Sequence, residues 1–451
     1  MSIGDRQIKI INNAKFFLKN LKSSKIDSSL SGLCYFNSWA ETPGYARLKF
    51  QADGWSFIFK FFIIFLKNIL AIASHTKYIE FGSQNLSKNV EIIVLTWAYK
   101  ENFKNDGSFQ DRYFNENSKN LPNSYWILIS MDGYVPSNLD SNIKVLIRKK
   151  GILKYNLFSF IKILISTVVE YRFSPKKIFH YLNFHSYFAK LITPIVKKEL
   201  QKTNCRAILL PYEAQPFQNK VFLETKKTNT KIITVGYLHS LTPLPSEFIH
   251  RLGAPDLLLV HGESQIEILE TRLGWPISKL ILIRSLRFQF KENESLAKKI
   301  FLPLSLHDSK KFINEFRELV IKSPANNFPI FHIKNHPAVV DSKKHLDFKF
   351  QLEKIIEAYK DRFSDISANK NTSIFFGVTA AVLEALENNV NVLHICSDPT
   401  FQSYSETIWP NIKTKKIGNF IFEYSLISKG KLICINKKAK LLDELKKTNI
   451  Y

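Results

Sequence analysis

Cysteine is scarce in this chain: Cys34, Cys205, Cys396 and Cys434 are the only four in 451 residues. They are scattered, with no CxxC pair, which excludes a disulfide framework or a zinc module as the basis of the fold. Acids are scarce too. Asp and Glu number 39 against 64 Lys and Arg, giving a formal net charge of +25. That balance excludes an acidic, solvating chain and points to anionic partners: nucleic acid, an anionic membrane surface or an anionic substrate. AT-rich codon usage, which also enriches Lys, Asn, Ile and Phe, is the other reading of the same charge. Long uncharged apolar runs are missing. The most apolar stretch, WSFIFKFFIIFLKNILAIAS (55–74), is interrupted by Lys60 and Lys67, so it lacks the roughly 18 uncharged residues a membrane span needs. Those lysines share a helical face with Ser56. The segment reads as a helix with a narrow polar stripe buried in its domain, with a helix lying in a membrane interface as the alternative. Internal repeats, low-complexity tracts and nucleic-acid-binding motifs are absent, and MSIGDRQIKIINNAKFF has no signal-peptide core. The expectation is a reducing, cytoplasmic protein with no nucleic-acid partner.

What is present has the balance of a folded globular protein, 45% apolar and 13% aromatic residues. The length calls for two domains. Six short apolar runs read as strands: VEIIVLTWAY (90–99), YWILISM (125–131), NIKVLIR (142–148), RAILLPYE (206–213), KIITVGYLH (231–239) and APDLLLVHG (254–262). Their hydrophobicity is continuous rather than alternating, as in parallel strands covered on both faces. Helical patterns such as 217–230 separate them. A second series follows WPISKLILIRSLRF (275–288): KKIFLPLSL (298–306), FPIFHIK (328–334), TSIFFGV (372–378) and NVNVLHIC (389–396). FPIFHIK reads as a buried strand of this second sheet. Two successive α/β sheets imply two Rossmann-like domains, 1–285 and 286–430, with a 431–451 tail packing back on the first. Between Leu146 and Arg206, thirteen Lys and Arg face only Glu170 and Glu199 in an otherwise apolar and aromatic segment. Such a segment suits an anionic lipid surface better than a DNA groove.

Ligands of parallel sheets sit beyond the carboxyl ends of strands, so strand ends hold the candidate site residues. Lys334, His336 and Pro337 follow FPIFHIK; the proline ends the strand, and an imidazole beside a lysine can bind a phosphate. Gly377 ends the next strand, and Thr379 is expected to open a helix whose free N–H groups attract an anion. Glu384 in that helix faces a ribose or solvent. In the first half, Asp106 lies at an Asp-Gly turn beyond a strand, where a general base for an acceptor hydroxyl belongs, or serves as a turn residue only. Asp111, Arg112 and Tyr113 share its loop. Glu213 leaves a strand in PYEAQPFQ and His239 leaves another in GYLHS. A strand-end carboxylate is costly to bury unless paired or functional.

KNHPA and FFGVTAAVLEALENNVNVL resemble GT-B glycosyltransferases of bacterial surface-carbohydrate biosynthesis. They are closest to groups whose His-Pro and Ser/Thr motifs grip CMP-activated sugars, the sialyltransferases, polysialyltransferases and Kdo transferases. FKNDGSFQDRYF, YEAQPFQNKVF, GYLHS and PDLLLVHGE are also similar to a family of surface carbohydrate biosynthesis proteins, in which a tryptophan stands where this chain has Phe217. The resemblance covers about residues 90 to 400. It implies a GT-B fold with the active site in the interdomain cleft, and a donor gripped at His336, Pro337 and Thr379. Asp106 takes the place of the base, with Asn105 replacing the first acid of the acidic-acidic-glycine motif. The implied activity transfers a sugar from a nucleotide donor of the CMP-sialic acid or CMP-Kdo type to a surface-glycan or lipid-linked acceptor. No metal or other cofactor is expected, and a peripheral contact with the inner face of the cytoplasmic membrane is. A UDP-sugar 2-epimerase, a CDP-glycerol-type polymer synthase and a non-catalytic glycan-assembly factor are the competing readings.

Overall fold

The computed structural model describes all residues except 39–40, 74–76, 83–88, 149–152, 289–295, 307, 337–338, 340–341, 368, 370, 436–438 and 449–451. The first series of apolar runs forms an 8-stranded sheet. Its strands are β1 Tyr78–Gly82, β2 Ile92–Ala98, β3 Ser124–Ser130, β4 Ile143–Arg148, β5 Ala207–Pro211, β6 Ile233–Tyr237, β7 Leu257–Val260 and β8 Leu280–Leu282. The order is β1-β4-β3-β2-β5-β6-β7-β8. All neighbours pair parallel except β1 with β4. Every residue of β3 and β5 is buried, as the continuous hydrophobicity requires of strands sandwiched between helices. The chain winds outward from β2 to β4, then returns to add β5 on the other side. The order therefore reverses between β2 and β5, the point of such a sheet at whose carboxyl edge ligands bind.

The second series forms a 6-stranded sheet in the order β10-β9-β11-β12-β14-β13. Its strands are β9 Lys299–Phe301, β10 His332–Lys334, β11 Thr372–Phe376, β12 Asn391–Ile395, β13 Ile412–Lys416 and β14 Ile421–Leu426. The first four are parallel, and its order reverses between β9 and β11. β14 and β13 complete the sheet antiparallel. The architecture is thus α/β with two parallel-rich sheets.

Three expectations need correction. FPIFHIK is not a buried strand: β10 is three residues at the sheet edge, with His332 and Lys334 exposed. Pro329 lacks the donor that would extend it. The apolar segment 55–74 is not a buried helix. It forms the helix Ile58–Ala73, of which only Ile64 and Ile72 are buried, while Phe59, Phe62 and Leu66 are exposed. By length and composition the stretch Pro43–Ala73 could cross a membrane. However, Gly54, at φ +64 in a conformation that glycine tolerates, ends the preceding helix and redirects the chain. Finally, Thr379 does not begin a helix; the helix is Ala381–Glu387.

The chain termini cross between the two sheets. Gln7, buried on the N-terminal helix Ile3–Ser23, donates to the carbonyls of Thr400 (3.1 Å) and Ser403 (2.8 Å). Trp409 Nε1 donates to Pro243 O at 2.9 Å. In the other direction, buried Glu387 accepts from the backbone N–H groups of Gly430 (2.6 Å), Leu432 (2.7 Å) and Ile433 (3.2 Å) as the chain returns. Ser285 N then donates to Cys434 O at 2.9 Å. Leu441 and Leu445 enter the core of the first sheet beside Val94 and Trp126, and Arg284 Nε pairs with the buried Glu444 at 2.6 Å.

A buried charge cluster secures the β1–β4 edge. Lys144 Nζ lies 2.8 Å from Glu199 and 2.7 Å from Glu80, and Lys144 and Glu199 are buried. Removing one partner of such a pair leaves an uncompensated buried charge. Lys144→Ala is expected to destabilise the protein by about 3 kcal/mol or more, read from the midpoint of chemical denaturation. Lys144→Met with Glu199→Leu should recover most of that loss.

Candidate active site

The reversal point of the first sheet carries Glu213, just beyond β5. Its position is set locally by the sequence PYEAQPFQN. Gln218 Oε1 accepts from the backbone N–H groups of Glu213 (2.9 Å) and Gln215 (3.0 Å), while its Nε2 donates to Pro211 O at 2.6 Å. Ala214 is held left-handed at φ +53, a conformation that costs a non-glycine residue energy unless its surroundings fix it. Arg251 and Asn219 provide this by donating to Ala214 O at 2.5 and 3.1 Å.

His239, beyond β6, places Nε2 at 3.2 Å from Glu213 Oε1, and Gln215 Nε2 donates to Glu213 Oε2 at 2.6 Å. Burial alone would raise the Glu213 carboxyl. Hydrogen bonds from His239 and Gln215 and the charge of Arg287 outweigh it, so the pKa lies below the ordinary value. Burial is the main influence lowering His239, assisted by Arg287 and opposed by Glu213. The pair is therefore a carboxylate beside a neutral imidazole. Its Nε2–H donates to Glu213, and the buried Nδ1 keeps its lone pair without a partner among the described residues.

Arg287 is the hub. The hydroxyl of Tyr237 accepts from the N–H groups of Leu286 (3.1 Å) and Arg287 (3.3 Å), fixing the linker that carries it. Its charge acts on Glu213, His239, His261, Tyr113 and His336. The ring of Tyr113 stands edge-on to His239 at 4.6 Å. Asp111 holds the loop bearing Arg112 and Tyr113. It accepts from Thr96 Oγ1 (2.7 Å), Tyr113 N (2.7 Å) and Phe114 N (2.6 Å), and burial pushes its carboxyl up to about 6. Glu247 is a further buried carboxyl, pushed up to about 7 chiefly by burial and also by the Glu213 charge.

From the second sheet, His336 follows β10. Burial and then the charges of Arg287, His345 and Arg112 lower it to about 4, so groups of the first sheet's edge and a residue of the second act on one another. Pro337 lies outside the described residues. Lys334 is exposed at the end of β10. At the second reversal point Gly377, at φ +61 and packed against Phe312 and Pro303, accepts from His394 Nε2 at 2.6 Å. A cleft of about 610 Å³ opens there. Pro303, Ser305, Gly377, Asp398 and Lys311 line one side, and Glu41, Lys49, Phe57 and Lys60 the other. Lys311 Nζ is anchored on Ser397 O at 2.6 Å and over the Phe420 ring at 3.3 Å.

The remaining sequence candidates sit apart from this cluster. Asp106 is exposed and bonded to Lys119 Nζ and Ser108 Oγ, both at 2.7 Å. The Lys119 bond, then those from Ser108, hold its carboxyl well below the usual range, which makes it a poor base at neutral pH. Thr379 uses its hydroxyl to accept from Ala381 N at 3.2 Å, and its carbonyl accepts from Tyr404. Glu384 is half-buried on the seven-residue helix that follows. Sequence reasoning passed over Arg287, Lys311 and Glu247. The signal for Arg287 was its place just past the end of β8 in a basic linker. Glu247 gave none, because its burial depends on tertiary packing. Among the described residues no three His, Cys, Asp or Glu side chains gather to hold a metal ion.

Neither the models of known protein families nor the curated proteins give a match to this chain.

The buried imidazoles fix a pH dependence. His180, His239, His261 and His394 are buried and their pKa values are lowered, mainly by burial. Unfolding restores them to about 6.5. Below that pH the unfolded chain binds more protons than the native one, so stability falls as pH falls from about 7 toward 4. Asp111 and Glu247, raised by burial, act in the opposite sense as they protonate, but the imidazoles outnumber them. Denaturation midpoints across that window should therefore decline with acid; a flat or rising series would contradict the neutral-imidazole assignment.

Proposed function

We propose that the protein is a glycosyltransferase of GT-B architecture that transfers a sugar from a nucleotide-activated donor to a surface-glycan acceptor. The observation that carries this reading is the grouping of Glu213, His239 and Arg287 at the carboxyl edge of one parallel-rich sheet with His336 from the other. The donor phosphate sits at the carboxyl edge of the second sheet beside His336; the 610 Å³ cleft at Gly377 is lined by neither His336 nor Arg287. His336, neutral with a pKa of about 4, contributes a hydrogen bond; Arg287 supplies the charge that stabilises the leaving phosphate. His239 Nδ1 takes the proton from the acceptor hydroxyl as that oxygen bonds to the sugar. The Glu213 carboxylate orients the ring and stabilises the imidazolium that forms. His239 takes the role of base in place of Asp106, whose partners hold it ionised on the surface. CMP is the first choice of nucleotide, on the sequence resemblance.

A thermal-shift screen with CMP, CDP, UDP and GDP tests the reading. Stabilisation by CMP is expected, with most of it lost in Arg287→Ala. Stabilisation by UDP or GDP alone would replace the donor, and stabilisation by none would remove the transferase reading. With the donor identified, His239→Ala and Glu213→Gln should retain nucleotide binding and lose about 10²-fold or more in turnover. Asp106→Asn should leave turnover within a few-fold.

A further inference from the structure

Two neighbouring helices of the first unit turn apolar stripes outward. On Ile58–Ala73, Phe59, Phe62, Ile63, Leu66 and Leu70 are each more than half exposed. Their spacing puts them on one helical face. On Leu153–Glu170, Phe158, Ile161, Ile165 and Val169 repeat the pattern, and Phe173 continues it. The two helices pack against each other, so the stripes belong to one region of the surface. Trp55 and Phe81 expose further apolar area nearby in the chain. Monomeric proteins rarely leave an apolar surface of this extent uncovered.

The charge around it identifies the occupant. Segment 54–77 contains three lysines and no acid, and segment 149–177 contains seven Lys and Arg with Glu170 as its one acid. Glu170 is already paired with Lys190 at 2.6 Å. A second copy of the chain meeting this face through a two-fold axis would set lysines against lysines. Lys60 pairs with Glu41 at 3.6 Å, and a neutral apolar partner would bring no anion to the other lysines. A helix crossing a bilayer would have to leave its own protein, yet Ile58–Ala73 packs against the helices Pro43–Asp53 and Phe184–Lys202. In addition, Ile64 and Ile72 are packed into the protein along the helix's inner side. Apolar side chains flanked by lysines are what an anionic bilayer surface takes up: rings and branched chains enter the acyl boundary while ammonium groups remain among the phosphates.

We propose that the face formed by Ile58–Ala73 and Leu153–Glu170 docks the protein on an anionic lipid bilayer. Lys60, at the start of the same patch, and the buried Phe57 before it line the 610 Å³ cleft, so docking brings that cleft beside the headgroups. On the transferase reading, and resting on it, the acceptor is then a glycan carried on a membrane lipid.

The test is co-sedimentation of the full-length protein with vesicles of equal parts phosphatidylethanolamine and phosphatidylglycerol, and with vesicles of phosphatidylcholine. Binding to the anionic vesicles and its loss at high salt are expected. Phe59→Ser with Phe62→Ser and Leu66→Ser should weaken that binding at least about tenfold, as should Lys67→Glu with Lys162→Glu. None of these five side chains lines the cleft, and the thermal unfolding midpoint of each variant serves as a control for folding. Equal binding to both vesicle types, or to neither, overturns the proposal. So does a wild-type dimer in sedimentation velocity that the triple serine variant converts to monomer. If vesicle binding succeeds while no nucleotide stabilises the protein, docking stands and the lipid-borne acceptor falls with the transferase reading.

Discussion

One phenol oxygen fixes the centre of this molecule. Tyr237 stands at the end of β6, fully buried, and its hydroxyl accepts two consecutive backbone N–H groups of the linker, those of Leu286 and Arg287. Two peptides gripped by one oxygen leave that stretch of backbone little freedom. The Arg287 backbone is consequently held in place, and the charge of its side chain acts on Glu213, His239, Tyr113 and His336. Without that constraint the carboxyl edge of the first sheet would hold a Glu–His pair and no organising cation.

The electrostatics follow from the same arrangement. Histidines in this region are held neutral by burial and by the arginines, not by an absence of acids. In the proposed function a neutral imidazole beside a guanidinium suits an anion, because the charge of a phosphate would favour protonation of the ring. Glu213 sits on the other side of Arg287's influence, ionised and able to support a cationic ring at His239. One positive charge acts on both imidazoles.

Much of this was legible in the sequence, because the relevant physics is local. Strands β2 to β7 and β11 and β12 were marked by continuous apolar runs, and residues just past their ends included Glu213, His239 and Gly377, since parallel sheets expose function at that edge. FPIFHIK misled because an apolar run does not reveal whether a strand has neighbours on both sides; β10 has one. The helix after Gly54 misled for the opposite reason: composition announces apolar side chains but not which partner covers them. β13 and β14 were missed because Ile412–Lys416 alternates with exposed lysines in the manner of an edge. Asp106 looked functional from its glycine turn, and only the three-dimensional position of Lys119 shows how its charge is used.

The crossing of the termini bears on how the chain acquires this structure. Leu441 and Leu445 complete the core against Val94 and Trp126, yet they lie some 300 positions later in the sequence. During synthesis the first sheet therefore leaves the ribosome with one apolar flank open, and it stays open while the entire second unit is made. The helix Leu441–Lys446 closes it, with Glu444 locking onto Arg284. Contacts of such long sequence separation form slowly. The nascent first unit thus depends, for the whole time of translating its successor, on protection that its own sequence does not provide.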